Sequence, residues 1–283
     1  MHRSRSGTRA AALGFLLVLA AAAAMPAGAQ APTTGPAAPG EMSQVLIHPW
    51  VVPPPGKQSE VYFTNLKDGD SRESPFVLRF GLSMRGLAPA GTEAGIAGHH
   101  HLLINYNLPL DFKKPLPFSD QYIHYGKGEM QTVIDLKPGT YQFNLVLADK
   151  DHIPYYVFGK PVRVTITKQN KNVNRAQLLG PPRVEIMSPA EGEKLTAPFR
   201  VQFHASAYNV AHENAKISDA GHFRLTIEHS GKAEVMDFKQ GQTEVWLNPP
   251  RGSYTMKLDL LSNVQAGAVI TSAPPVKVTV AGK

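Results

Sequence analysis

"LKPGTYQFNLVL", residues 136–147, sets Tyr141, Phe143, Leu145 and Leu147 at every second position behind a Lys-Pro-Gly turn. Side chains alternate faces along a strand, so these four share one face. The stretch recurs as "PPRGSYTMKLDL", residues 249–260, where Tyr254, Met256, Leu258 and Leu260 repeat the pattern.

The recurrence extends in both directions. "VYFTNLKDGDSRESPFVLRF" from Val61 aligns with "VEIMSPAEGEKLTAPFRVQF" from Val184, matching Gly69, Pro75, Phe76 and Phe80 with Gly192, Pro198, Phe199 and Phe203 at an offset of 123. "AGHHHLLIN" meets "AGHFRLTIE" at the same offset, and from Gly128 onward the offset becomes 113. The second copy therefore lacks about ten residues between Asn105 and Gly128. Each copy reads as short alternating strands separated by turn residues. A turn leading into a strand that opens on tyrosine resembles the tyrosine corner of immunoglobulin-like sandwiches. The expected fold is all-β, with two tandem immunoglobulin-like β-sandwich domains after a signal peptide. By that analogy the strands of the first copy fall at 60–65 (A), 76–83 (B), 100–106 (C), 130–136 (E), 141–148 (F) and 161–167 (G). The expected divisions are a signal peptide at 1–29, a Pro/Ala-rich leader with a short strand at 30–55, and a histidine-bearing sandwich at 56–168. A linker at 169–182 and a second sandwich at 183–283 complete the chain. His48 and Trp50, in the short strand, are expected to pack.

Three consecutive histidines open strand C. The second copy serves as a control. In "HFRLTIE", Phe223, Leu225 and Ile227 alternate with His222, Arg224, Thr226 and Glu228. Transferred to the first copy, His100 points inward, while His99 and His101 share the outer face. The B–C and F–G loops lie at one end of such a sandwich, which brings His152 toward them. His124, placed just before strand E, is expected at the same rim, with Asp149 and Asp151 close by. Neutral imidazole is a common metal ligand, so His99, His100, His101, His124, His152 and Asp149 form the candidate metal set, for copper or zinc. A core role for His100 and solvated positions for His99 and His101 are the competing reading. The second copy has Phe223, Arg224, Asp237 and Gln265 where the first has His100, His101, His124 and His152, which leaves it a structural or docking role. His204, His212 and His229 are isolated and read as structural. Met84 and Met130 read as packing residues.

The 283 residues begin with Arg3, Arg5 and Arg9, an Ala-rich apolar run and Ala27-Gly28-Ala29. This is a secretory signal pattern with cleavage after Ala29, which implies a periplasmic or secreted protein. The apolar run is short for a membrane span. No later segment is long and apolar enough to cross, so the mature chain is expected not to span a membrane. The absence of cysteine removes disulfides, thiolate metal sites, cysteine nucleophiles and lipoprotein acylation together. The net charge of +7 includes the three signal arginines and no signal acid, so the mature chain stands near +4. The one basic cluster, "KQNKNVNR" at 168–175, has no interleaved aromatics and argues against nucleic-acid binding.

"GHHHLLIN", "HYGKGEMQT", "LKPGTYQFNLVLAD" and "DHIPY" together resemble the bacterial exported domain-of-unknown-function family numbered 4399 over about residues 60–167, with the second copy a diverged echo. The resemblance implies export and a sandwich, and it matches His99, His100, His101, His124, Asp149 and His152 to the family's polar set. The chain departs from that pattern at Asn105, Tyr141, Ala148 and Tyr155. Three functional classes follow: an exported metal-binding module, a non-catalytic adaptor for an envelope protein or polysaccharide, and a hydrolase. The last is weakest, because no Gly-x-Ser-x-Gly elbow, phosphate loop or His-Glu-x-x-His is present. A metal-activated water keeps it open. Expressed in a bacterial host with its leader intact, the exported protein is expected to begin at Gln30 by intact-mass spectrometry. Retention of Met1 would overturn the cleavage reading.

Overall fold

Tyr141 donates its hydroxyl to the Lys137 carbonyl at 3.0 Å, and Tyr254 donates to the Pro250 carbonyl at 2.7 Å. Both copies thus build the tyrosine corner read from the sequence. These bonds are seen in a computed structural model that describes residues 48–56, 60–106 and 110–281. The expected signal segment, its expected cleavage point and most of the expected leader lie outside the described residues.

The chain runs β1 (Val51–Val52), β2 (Val61–Phe63), β3 (Asp70–Ser74), β4 (Phe76–Leu82), β5 (His99–Ile104), β6 (Tyr122–Tyr125), β7 (Gln131–Ile134), β8 (Gly139–Ala148), β9 (Pro154–Phe158) and β10 (Val162–Gln169). A short helix, α1 (Arg175–Leu179), lies in the linker and is capped by Asn174, whose side chain accepts the Ala176 N–H. The second copy continues as β11 (Arg183–Ser188), β12 (Lys194–Thr196), β13 (Phe199–Ser206), β14 (Asn209–Val210), β15 (Ala220–His229) and β16 (Lys232–Asp237). It ends with β17 (Glu244–Leu247), β18 (Gly252–Ser262), β19 (Val269–Ser272) and β20 (Val276–Ala281). In the first copy the sheet β2-β4-β7 faces the sheet β3-β10-β8-β5-β6, with β9 paired to β8. In the second, β17-β13-β11 faces β12-β20-β18-β15-β14, with β16 on β15 and β19 on β18. The fold is all-β, two tandem immunoglobulin-like sandwiches. The short strand β1, expected to belong to the leader, instead extends the second copy's sheet, pairing Val51 with Leu247 and Val52 with Trp246. His48 and Trp50 pack there, His48 on Glu234 at 3.1 Å and Trp50 edge-on to Tyr254.

The copies meet through reciprocal contacts. Leu87 donates its N–H to the Gly241 carbonyl at 2.8 Å, and Val210, its repeat equivalent, donates to Gly128 at 2.9 Å. Gly128 and Gly241 have φ of +95° and +79°, and a Cβ on either would lie about 2 Å from the opposing Val210 or Leu87 carbonyl oxygen. Only glycine meets both demands. Ser83 donates to Glu244, while its equivalent Ser206 donates to Gln131 at 3.0 Å. Such reciprocity is the pattern of a two-fold dimer, here within one chain. Tyr62 also donates to Glu244 and accepts from Gln202 at 2.7 Å. Among the described residues no helix is long and apolar enough to cross a membrane.

His204 is buried in this interface, donating from Nε2 to Gln131 Oε1 at 3.0 Å. Burial, then the positive charges of Arg79 and Arg183, push it from 6.5 down to about 3. The unfolded chain therefore binds a proton here that the folded chain refuses. Stability from this group is complete above about pH 6.5 and is lost as pH falls toward 3. In urea titrations between pH 7 and pH 4, His204→Gln is expected to flatten the pH dependence of stability by up to about one proton. An unchanged slope would contradict this.

Candidate metal centre

His99 and His101 lie two positions apart on β5 and so face the same side. β6 pairs with β5 in antiparallel register, setting His124 opposite His101 and Tyr122 opposite Leu103. β8 flanks the other side, with Ala148 opposite His99 and Val146 opposite His101. His152 arrives from the turn between β8 and β9, at a left-handed φ of +65°. Asp149 shapes that turn. Its Oδ1 accepts the N–H groups of Asp151 and Ile153, each at 2.9 Å, and its carbonyl accepts that of His152 at 3.0 Å.

The four rings converge. His99 Nε2 lies 3.1 Å from His152 Nδ1 and 3.0 Å from His101 Nε2. His124 stacks on His101 with ring centres 5.0 Å apart, and stands edge-on to His152 at 4.5 Å. One nitrogen from each ring lies within 4.8 Å of the others, so the four can hold a metal ion. Metal–nitrogen bonds of about 2.0–2.1 Å put tetrahedral neighbours roughly 3.3 Å apart, close to the contacts at His99. Burial, then the neighbouring imidazoles, push His99 down to about 2 and His101 down to about 3, and His124 is lowered by burial and by His152. All three are neutral near pH 7 and offer lone pairs.

Two of the six residues named from sequence stand apart from this group. His100 points into the core, its ring 5.2 Å from Phe80, as Phe223 lies 5.2 Å from Phe203 in the second copy. Burial pushes it down to about 4. The Glu129 backbone acts the other way, yet neither ring nitrogen reaches a partner at hydrogen-bonding geometry. Asp149 spends Oδ1 on the turn and positions His152 instead of joining it. Met130 is a core residue.

His124 lies just before strand E, as the sequence places it, and there forms a strand of its own, β6, as a direct cross-strand neighbour of His101. One expectation is corrected. The outer pair was placed at a rim, but His99 and His101 are both 0% exposed. The extra residues of the first copy explain this. Leu110 and Leu116, from the segment 110–121 ahead of β6, pack with Tyr122 on Leu103, Val146 and Ala148 in a small second core over the outer sheet face. Leu116 donates its N–H to the His152 carbonyl at 2.9 Å, and Phe118 stands edge-on to His124 and His152. A legible signal went unused: outward Val146 and Ala148 are apolar. Gly126 was also missed. A Cβ there would lie 2.1 Å from His124 Nε2, so the glycine leaves room for that ring.

The second copy fills the equivalent positions with other chemistry. Arg224 pairs cross-strand with Asp237, as His101 does with His124, and the two form a bidentate ion pair at 2.6 and 2.8 Å. His222 bonds Asn263 at 2.7 Å.

The profile of the domain of unknown function DUF4399 matches residues 78–167 and again 201–281, more than half of the chain. The chain belongs to the DUF4399 family. Both sandwiches are DUF4399 domains, and the four-histidine cluster sits in the first of them. No curated protein gives a significant match. Among solved structures, the chain is similar to the fibronectin(III)-like modules of Clostridium thermocellum CbhA, at 11% identity, with 78% of this chain and 92% of that one covered and a TM-score of 0.24. A two-domain fibronectin type III segment of chicken tenascin matches at 10% identity, over 78% of this chain and 97% of that one, with a TM-score of 0.21.

His100→Phe installs the second copy's residue and removes two unpartnered buried nitrogens. It is expected to leave stability unchanged or raise it by about 1 kcal/mol in denaturant titration; a loss above about 2 kcal/mol would contradict the core assignment. Asp149→Ala is expected to speed amide hydrogen exchange at Asp151 and Ile153 by about tenfold, for bonds to a charged acceptor worth about 1.5 kcal/mol or more. Unchanged exchange would remove Asp149 from the turn.

Proposed function

We propose that this DUF4399 protein is an exported metal-binding protein that holds one copper or zinc ion on His99, His101, His124 and His152. The observation that carries the reading is the convergence of four imidazole nitrogens, two of them on fully buried side chains, at metal-bridging spacing. Imidazole donors without thiolates suit zinc and copper. A set of four protein ligands favours holding a metal over activating water, since catalytic sites keep an open position. The basic, Ala-rich start of the chain, ending in Ala27-Gly28-Ala29, supports export. Asp149 and Gly126 serve the site by holding His152 and admitting His124.

The purified mature chain is expected to retain about one ion per molecule by elemental analysis and to bind it in titration calorimetry. His99→Ala and His101→Ala should each lower affinity at least about tenfold, and His222→Ala should not. Absence of stoichiometric binding, or binding indifferent to the His99 and His101 substitutions, would sink the reading.

An adaptor role for an envelope protein or polysaccharide is favoured by one observation. Beside the site, Tyr156 is 79% exposed and stacks on Phe112 at 3.9 Å, with Phe158 close by. Exposed aromatic clusters of this kind mark binding surfaces. Loss of a pull-down partner on Tyr156→Ala, with metal binding intact, would support it.

A further inference from the structure

We infer that the four-histidine centre prefers a monovalent soft ion, cuprous copper, over divalent copper or zinc. The inference rests on the metal reading above and specifies its cargo. The ligand set is four imidazoles with no carboxylate among them. Asp149 directs Oδ1 to the backbone of its own turn, and Asp151, next to His152 in sequence, pairs with Lys150 at 2.7 Å.

Among the described residues no acidic side chain bonds these four rings. Histidine ligands ordinarily pass their second N–H to a carboxylate, carbonyl or water, which raises ligand basicity and helps to balance the ion. Here Nδ1 of His99 and of His101 is buried with no hydrogen-bond partner among the described residues. The neighbours on the same sheet face, Val146 and Ala148 opposite His101 and His99, are apolar and pack with Leu103, Leu110 and Leu116. Burying charge in such a place is costly, and the cost grows with the square of the charge. A doubly charged ion thus meets roughly four times the penalty of a singly charged one. Imidazole binds either oxidation state of copper, so the environment decides between them.

The second copy shows what compensation looks like on the same scaffold. Arg224 lies cross-strand from Asp259 on one side and from Asp237 on the other. The position of Asp259 is held by Val146 in the first copy, directly opposite His101. A carboxylate therefore fits this fold at that place, and the first copy carries an apolar residue there.

The test uses the full mature chain. Affinities for Cu(I), under anaerobic conditions with ascorbate, and for Cu(II) and Zn(II) are measured by competition with chromophoric chelators. The potential of the copper-loaded protein is measured by voltammetry. The expected result is one Cu(I) per chain, a dissociation constant at least about tenfold lower than for Cu(II), and a potential above that of aqueous copper. Tighter Cu(II) or Zn(II) binding at the same histidines, or a potential below the aqueous couple, overturns the inference and leaves the metal reading standing. Retention of no metal at all defeats both. Val146→Asp, verified as folded by circular dichroism, should shift the Cu(I)/Cu(II) affinity ratio at least about tenfold toward Cu(II). An unchanged ratio in the folded variant would also overturn the charge argument.

Discussion

Period-two alternation along β5 is the constraint from which the candidate centre follows. It sends His100 into the core and holds His99 and His101 together on the opposite face. Antiparallel pairing then adds His124 across from His101, and the Asp149 turn brings in His152. A slip of one residue in β5 would turn two imidazoles into the core and expose the apolar row. Core packing and site geometry are therefore set by the same register.

The repeat makes that register readable twice. In β18 of the second copy the outward positions Lys257 and Asp259 meet solvent, and burial alternates along most of the strand. In β8 of the first copy every residue from Phe143 onward is buried, because the segment 110–121 ahead of β6 lies over the outer face. The two domains thus share a scaffold and differ in one connection. That connection turns a solvated sheet face into a partly closed chamber, with His99 and His101 buried and His124 and His152 half-buried. The reciprocal interface, with its glycines pressed on opposing carbonyls and its serines donating to Glu244 and Gln131, holds the second copy against the first. No comparable chamber is needed there, and Arg224 and Asp237 satisfy each other instead.

Much of this was legible in the linear sequence. The tyrosine corners at Tyr141 and Tyr254, the strand positions from A to G, and the inward turn of His100 all follow from local alternation and turn chemistry. The correspondence of His101 and His124 with Arg224 and Asp237 also followed from the repeat alone. The place of His124 on its own strand did not, because "YIHY" is only four residues long, even though Gly126 and Gly128 separate it from strand E. The burial of His99 and His101 was not legible either, since it depends on which face a distant connection covers.

The sequence by itself determined the fold class, the duplication and which histidines share a face, because each is written in spacing along the chain. Tertiary structure alone decided that β1 joins the second sandwich, that Asp149 holds a turn instead of facing the cluster, and that the four imidazoles meet inside a partly covered pocket. The physical reason is that alternation and turns are local, whereas burial and ring-to-ring distance arise only when segments far apart in the chain pack together.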